Sequence, residues 1–373
     1  MVEAVRLGGR LGIVRGFIDE LYGHDLHAKR VDALAGATLG VMTGASLAVA
    51  MIGQALALAR GLVTKHAVKQ VDRLLSNGAV DVWDSFARWV PQQVGSRPEV
   101  LVAMDWTDFD HDGQSTLVLS LVTGHGRAAP LLWLTVWKEE IATRRNDYED
   151  ACLRRLAELV PAGCRVTILA DRGFGDQKLF AFLAELGFGY VIRFRGNIHV
   201  TAQDGETRPA AEWVGKEGRA RKLRAARVTA KGQQVGAVVC VHAKGMREPW
   251  CLAASDPDAT AAVLVNHYAR RWTIDIDQSW RLSRIKGWVV RACNAAFWVE
   301  PDRGSNLIVA ERWLATPLGY APEEFPRPFQ SRPKPRGGST FVSADRSRSQ
   351  TSRSASAVAL SIRFSGRASS QAW

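Results

Sequence analysis

The chain has 373 residues, a length that accommodates one large domain or two ordinary ones. Apolar residues make up 47% of it, an ordinary fraction for a protein with a core, which excludes a wholly disordered chain. The 49 basic and 37 acidic residues give a formal net charge of +12, which favours a polyanionic partner, nucleic acid before a membrane surface.

The cysteines and the first residues bear on the cellular compartment. Five cysteines occur without a CxxC pair or a metal-type spacing, and we interpret them as reduced thiols. No charged segment followed by a short apolar run and a small-residue cleavage site opens the sequence, so no signal peptide is predicted. We therefore expect a cytoplasmic protein.

Residues 1–95 show helical periodicity with short polar breaks, which predicts a helical N-terminal domain. Within it, residues 33–59 contain no charged side chain and are long enough for a membrane span. Four glycines and the turn signal Thr43-Gly44 favour two short helices packed through small residues instead. We expect no membrane partner.

From residue 96 the sequence changes to β-type runs. Three strands are predicted in "EVLVAMDWTDFD", "STLVLSLVTG" and "APLLWLTVW". Then come a helix in "NDYEDACLRRLAELV", a strand in "CRVTILADRGFG", a helix in "DQKLFAFLAELGF" and a strand in "GYVIRFRG". This order predicts an α/β fold with a mixed sheet covered by helices, and we assign residues 96–196 to its first part.

The remaining sequence divides into three segments. Residues 197–255 are basic and β-like, which predicts an inserted β-rich subdomain. Residues 256–290 return to the core as a final helix, with Asp256-Pro257 as its predicted cap and first-turn proline. Residues 291–373 are rich in Ser, Arg and Pro, typical of a disordered or out-of-frame tail.

Two aspartates stand where apolar runs end. Asp105 ends the run in "VAMDWT", and Asp171 ends the run in "ILADRG". Carboxylates at the ends of adjacent buried strands concentrate negative charge, and Mg²⁺ prefers such hard oxygen ligands. A structural interpretation stays open for each residue: Asp105 would start a turn, and Asp171 would cap the helix after Gly173.

This layout resembles the DDE transposases of bacterial insertion sequences, the group that contains the hairpin-forming cut-and-paste enzymes with an RNase-H-like fold. Their two aspartates match Asp105 and Asp171. Their helix motif Tyr-x2-Arg-x3-Glu-x6-Lys matches Tyr268 and Arg271 in "YARRWTI", with Asp275 at the Glu position. The resemblance implies that Asp105, Asp171 and Asp275 are catalytic and bind Mg²⁺, with Mn²⁺ as the alternative.

The resemblance also implies double-stranded DNA as the partner, both the terminal repeats of a transposon and its target, and a homodimer in the synaptic complex. Arg271 would hold a phosphate and Tyr268 would donate to a backbone oxygen. Trp250 would stack on a flipped base, or would simply pack under the insertion.

Further basic residues are predicted to contact DNA. Near the catalytic core and in the insertion they are Arg193, Arg195, Lys216, Arg219, Arg221, Lys222 and Arg224. In the N-terminal domain, where the transposon end would be recognised, they include Lys29, Arg30, Lys65 and Lys69. An ordinary solvated surface is the alternative for all of them.

The sequence departs from the family pattern in its last third. Asp275 is one methylene shorter than Glu, and Leu282 stands where the family has Lys, with Lys286 one turn later as a partial substitute. A frameshift near codon 275 would explain these changes together with the composition of the tail. Three functions stay open: a transposase, intact or decayed; a non-catalytic DNA-binding protein; and a Mg²⁺-dependent nuclease of the same fold.

Overall fold

The computed structural model describes residues 2–46, 48–109, 113–124 and 128–271. Five α-helices open this part of the chain: α1 (Val2–Tyr22), α2 (Ala28–Gly44), α3 (Val49–Arg60), α4 (Thr64–Leu75) and α5 (Val82–Val94). Three more follow: α6 (Lys138–Leu159), α7 (Gln177–Glu185) and α8 (Ala261–Arg270).

The uncharged run of residues 33–59 divides into α2 and α3, as its turn signal predicted. Ala45 adopts a left-handed backbone (φ 44°, ψ 35°) that ends α2. Small residues then let the helices approach: a Cβ on Gly40 would lie 2.6 Å from the carbonyl oxygen of Ile52. Among the described residues, no single helix is long and apolar enough to cross a membrane. Helices α2 and α3 meet the length and composition criteria only as a pair bent by 96°.

Within the described residues, twelve strands form two sheets. In chain order they are β1 (Glu99–Phe109), β2 (Gln114–Val122), β3 (Ala128–Trp137), β4 (Arg165–Ala170), β5 (Gly189–Phe194), β6 (His199–Thr201), β7 (Thr207–Pro209), β8 (Arg221–Arg224), β9 (Arg227–Val228), β10 (Gln233–Gln234), β11 (Ala237–Val241) and β12 (Trp250–Ala254). The larger sheet has the order β3-β2-β1-β4-β5-β12-β11-β8, and the smaller one β10-β9-β6-β7. Strand β4 runs parallel to β1 and β5, whereas the other neighbours are antiparallel, so the predicted mixed sheet is confirmed.

The segment predicted as an insertion contributes to both sheets. Strands β12, β11 and β8 extend the larger sheet beyond β5, because Leu252 of β12 pairs with Arg193 of β5. Strands β6, β7, β9 and β10 form the smaller sheet. The large sheet is therefore completed by residues that follow β5 by more than 25 positions along the chain.

Each face of the large sheet packs against different helices, because successive side chains of a strand point to opposite sides. On one face, Val102 and Met104 of β1 join a large apolar core with α5, α6 and α7; we call this the α6 face. On the other face, Ala103 joins a smaller core with Leu264 and Tyr268 of α8; we call this the α8 face.

Helix α8 begins later than predicted. Thr260 is its N-cap, with Oγ1 accepting the Val263 N–H at 3.3 Å. Asp256 instead forms a turn ahead of the helix, since its Oδ1 accepts the N–H groups of Asp258 and Ala259 at 2.7 and 3.0 Å. The predicted start at Asp256-Pro257 is therefore wrong by about one helical turn.

Candidate active site

The two predicted aspartates lie side by side, although not as the sequence suggested. The prediction that Asp105 ends its strand is wrong, because β1 continues to Phe109. What ends there is the parallel pairing with β4, whose last pair joins Met104 and Ala170. Asp171 follows β4 directly with an extended backbone (φ −82°, ψ −177°). The Cα atoms of the two aspartates are therefore roughly one strand spacing apart, about 5 Å.

Both carboxylates lie on the α8 face. Asp105 has the same strand parity as Leu101 and Ala103, which pack in the smaller core. Asp171 has the parity of Leu169, which lies in that core as well. Both aspartates are half-buried, so the sheet holds their backbones while their side chains reach solvent.

Each aspartate accepts a backbone hydrogen bond with Oδ1. Asp105 accepts the Trp106 N–H at 3.0 Å, and Asp171 accepts the Gly173 N–H at 2.7 Å. The capping interpretation of Asp171 is thus realised, on the short 3₁₀ turn Arg172–Phe174. Because a carboxylate has two oxygens and several lone pairs, capping through one oxygen is compatible with ligation of a cation.

Two arginines and a glutamate border Asp171. Arg193 lies next to it on β5, one residue beyond the pair Ala170–Ile192, and its side chain is only 12% exposed. Its Nη2 is 2.9 Å from Glu248 Oε1. Arg172 pairs with the same carboxylate, with Nη1 3.1 Å from Oε2. The hydrogen bond and charge of Arg193 lower the pKa of Glu248.

Helix α8 places Tyr268 and Arg271 over the same region. Both are buried, and the Arg271 guanidinium carbon is 5.7 Å from the Tyr268 ring centroid. Burial raises the pKa of Tyr268, the charges of Arg271 and Arg193 oppose this rise, and the charge of Asp171 adds to it. Within the described part of the chain the Tyr268 hydroxyl makes no hydrogen bond of regular geometry, although Arg271 lies near enough to interact with it and to lower its pKa. These four side chains therefore share one electrostatic environment.

Trp250 packs against this group. Its ring meets the Tyr268 ring edge to face, with centroids 4.9 Å apart and planes at 77°. It lies at the start of β12 and is half-buried. The Trp250 ring thus has a packing role, although its partner is Tyr268 of α8. Stacking of Trp250 on a base stays a prediction.

Several of the predicted DNA-contacting residues make contacts within the fold. The Nζ of Lys222 donates to the backbone oxygens of Pro257 and Ala259, in the loop that leads into α8. Arg224 Nη2 lies 3.2 Å from Asp258 Oδ1 in the same loop. These residues hold α8 against the sheet. Arg195, just beyond β5, is exposed.

The third predicted carboxylate, Asp275, lies outside the described residues, as do Leu282 and Lys286. Within the described ranges, no group of three or more His, Cys, Asp or Glu side chains could hold a metal ion. The described site therefore contains a pair of carboxylates with basic neighbours.

Sequence reasoning missed Glu149 of α6 and its partner Arg145. Glu149 is 5% exposed and accepts from Arg145 Nε at 2.7 Å and from Trp106 Nε1 at 2.8 Å. A signal was present: Glu149 stands three and four residues before Cys152 and Leu153, on the apolar side of its helix. An acid at such a position needs a partner.

Comparison with known proteins agrees with this arrangement. Residues 97–282 match the family model described as "Transposase DDE domain". The match begins just before β1 and contains both aspartates, the strands that follow and α8. No curated protein matches the chain.

Proposed function

We propose that this protein is a transposase that cleaves the DNA strands at the ends of a mobile element and joins them to a target, because residues 97–282 match the model of a transposase DDE domain. The proposal extends to the cut-and-paste enzymes of bacterial insertion sequences. The mixed α/β fold, with helices on both faces of the sheet, is consistent with an RNase-H-like domain.

The single observation that carries the proposal is the adjacency of Asp105 and Asp171. Asp105 in β1 and Asp171 directly after β4 are 66 positions apart in the sequence, and each stands one residue beyond Met104–Ala170, the last parallel pair of the two strands. Two carboxylates about one strand spacing apart repel each other unless a cation or a proton lies between them. A divalent cation is the ordinary solution for such a pair.

The donor chemistry fits Mg²⁺ or Mn²⁺. Both aspartates offer hard oxygens, and Mg²⁺ is commonly bound by one or two carboxylates while it keeps several waters. Bound there, the metal would supply positive charge to a phosphodiester and to the attacking and leaving oxygens. Asp275 follows Arg271 by four residues and Tyr268 by seven, so a helix continued at this spacing would bring it to the same side, and we propose it as the third ligand.

The basic residues bind and orient the DNA. Arg271 and Arg193 carry fixed positive charge near the Tyr268 hydroxyl, which is a buried donor with capacity for a phosphate oxygen. A phosphate held by these groups lies beside the carboxylate pair. Trp250 is placed against Tyr268 and extends this binding surface, where we propose that it stacks on a base.

A catalytically inactive DNA-binding remnant is the second candidate, favoured by the residues at the family's third and fourth motif positions. Asp275 replaces Glu and Leu282 replaces Lys, so one carboxylate is shorter and one cation is missing. A frameshift near codon 275 accounts for both. Translation of the other two reading frames tests it: a Glu-x6-Lys continuation would support the frameshift, and its absence from both frames would exclude it.

The main experiment measures Mg²⁺-dependent nicking of duplexes that carry the terminal repeats of the element. We expect the wild type to nick them. In Asp105→Asn and Asp171→Asn the nicking rate should fall by at least about 100-fold, which exceeds the loss of activity that typically follows removal of an outer-shell partner of a metal ligand. The matched control is Asp204→Asn, because Asp204 is an exposed aspartate whose Oδ1 accepts the Glu206 N–H at 3.0 Å in the turn between β6 and β7.

The outcomes separate the candidates. Binding of the repeats without nicking by the wild type would support the inactive remnant. Nicking without joining of pre-cut ends to a target would identify a nuclease. Full activity of both asparagine variants would reject the proposed site.

A further inference from the structure

A buried ion pair on α6 lies behind the aspartates, on the opposite face of the sheet. Arg145 and Glu149 are one helical turn apart, and Arg145 Nε donates to Glu149 Oε1 at 2.7 Å. The Glu149 side chain is 7% exposed and that of Arg145 is 37% exposed. Burying a carboxylate is costly unless its oxygens are satisfied, so this pair needs further partners.

The first partner connects the pair to Asp105. Trp106 Nε1 donates to Glu149 Oε1 at 2.8 Å, the same oxygen that accepts from Arg145. Trp106 directly follows Asp105, whose Oδ1 accepts the Trp106 backbone N–H at 3.0 Å. Glu149 therefore fixes the indole, and through it the backbone at which the Asp105 carboxylate is anchored.

The second set of contacts connects the pair to Asp171. The Arg145 guanidinium carbon is 5.1 Å from the Phe174 ring centroid, a stacking distance for a cation over an aromatic ring. Phe174 closes the turn that Asp171 opens, since the Phe174 N–H donates to the Asp171 carbonyl at 3.1 Å. Gly173 lies between them, and a Cβ there would be 2.9 Å from Asp171 Oδ1 and 3.5 Å from Arg145 Nη2.

We propose that Arg145 and Glu149 are positioning residues that hold the Asp105 and Asp171 backbones at the separation a divalent cation requires. This inference rests on the proposed function, because it assigns the pair to the metal site proposed there. One ion pair on one helix contacts Trp106, which follows Asp105, and Phe174 in the turn that Asp171 opens, so it connects the two segments that carry the aspartates. Outer-shell partners of this kind orient ligands, and their loss typically lowers metal affinity 10–100-fold.

A purely structural role would have a different consequence. Removal of the pair would then lower stability and leave metal affinity unchanged. Removal of the Arg145 charge would in addition favour a nearby cation, which would hide a loss of positioning. The informative change is therefore Arg145→Lys, which keeps the charge and loses the planar guanidinium that stacks on Phe174 and bonds Glu149.

The chain offers a matched control on the same helix. Arg154 stacks over Phe182 with its guanidinium carbon 4.8 Å from the ring centroid, and its Nη2 lies 3.7 Å from Asp150 Oδ2. Arg154→Lys likewise removes a guanidinium that stacks on a ring and pairs with an acid one helical turn away, at a position roughly 13 Å further along the axis of α6. Glu149→Asp is a second test variant, which keeps the negative charge and draws the carboxylate one methylene away from Arg145 and Trp106.

The experiment is calorimetric titration of the full-length protein with Mn²⁺, in the absence of DNA, with thermal unfolding in a chelator to monitor the fold. We expect Arg145→Lys and Glu149→Asp to weaken Mn²⁺ affinity by about 10-fold. Arg154→Lys should bind as the wild type does, and Asp105→Asn should lose binding.

Wild-type affinity in Arg145→Lys and Glu149→Asp, together with loss of binding in Asp105→Asn, would overturn the positioning role and leave the proposed metal site intact. Equal binding by the wild type and Asp105→Asn would reject the metal site itself. Equal weakening in Arg145→Lys and Arg154→Lys would also overturn the inference, because any loosening of α6 would then suffice.

Discussion

The two faces of the large sheet differ in how helices cover them. The α6 face carries a continuous apolar core to which α5, α6 and α7 all contribute. The α8 face carries a smaller core, and its described helix has only ten residues. The half-buried aspartates and the basic residues near them lie on the α8 face. The comparison suggests that the α6 face supplies stability, whereas the α8 face leaves polar groups accessible to a ligand.

Matched leucine substitutions on the two faces give the largest expected effect. Leu153 of α6 and Leu264 of α8 are 0% and 2% exposed. We expect Leu153→Ala to lower the free energy of unfolding by about 4–5 kcal/mol and Leu264→Ala by about 2–3 kcal/mol, because fewer neighbours surround the smaller core. Urea denaturation followed by ellipticity measures both. A larger loss in Leu264→Ala would contradict the assignment of stability to the α6 face.

The sequence predicts the α6 face better than the α8 face. Strands β1 to β5 and helix α7 follow local apolar patterns, and these are found close to the expected positions. Asp105 was misplaced because the polar stretch after Met104 suggests a strand end, whereas antiparallel pairing with β2 continues through Asp105–Val118 and Trp106–Leu117. The polarity of nearby residues therefore does not indicate that β1 stops pairing with β4 while it continues to pair with β2.

Long-range partners explain the rest of what the sequence missed. Strand β12 extends the large sheet because it pairs with β5. The periodicity of a strand's own residues indicates which side chains are buried, but it does not specify the neighbouring strand. The ion pair between Arg193 and Glu248 likewise joins residues that are distant in sequence. The two aspartates are close because the parallel pairing of β1 with β4 ends at Met104–Ala170, one residue before each of them, and not because both strands end there.

Tyr268→Phe tests whether the α8 face has polar groups that serve a ligand. The change removes one buried hydroxyl that has no partner at bonding geometry in the described part of the chain. Stability should therefore be unchanged or slightly higher, while nicking of the terminal-repeat duplex should fall about 10–100-fold, as for a lost hydrogen bond to a charged group. Thermal unfolding and nicking rates measure the two effects.

The matched control is Tyr190→Phe, because Tyr190 lies on the α6 face stacked on Phe180, with centroids 5.1 Å apart. It should leave nicking unchanged. A loss of stability in Tyr268→Phe without a change in nicking would show that the hydroxyl serves the fold.

Two glutamates, one near each face, give the smallest expected effect on stability. The pH dependence of that effect should have opposite signs for the two residues. Burial raises the pKa of Glu149, so the folded protein binds its proton more tightly than the unfolded chain does. That contribution to stability is present below the ordinary Glu pKa of about 4.3 and is lost as the pH rises through the folded value. Glu149→Gln should therefore gain stability relative to the wild type as the pH rises from about 4.

Glu248 should give the opposite slope, because Arg193 lowers its pKa. Its contribution to stability is present above a pH of about 4.3 and is lost as the pH falls through the lower folded value. Relative to the wild type, Glu248→Gln should therefore be less stable near neutral pH, and the difference should shrink on acidification. Thermal midpoints measured between about pH 3 and 7 test both variants. If the stability difference from the wild type changed with pH in the same direction for both variants, the environments of Glu149 and Glu248 would shift their pKa values in the same direction. The proposed electrostatic difference between the two faces would then be wrong.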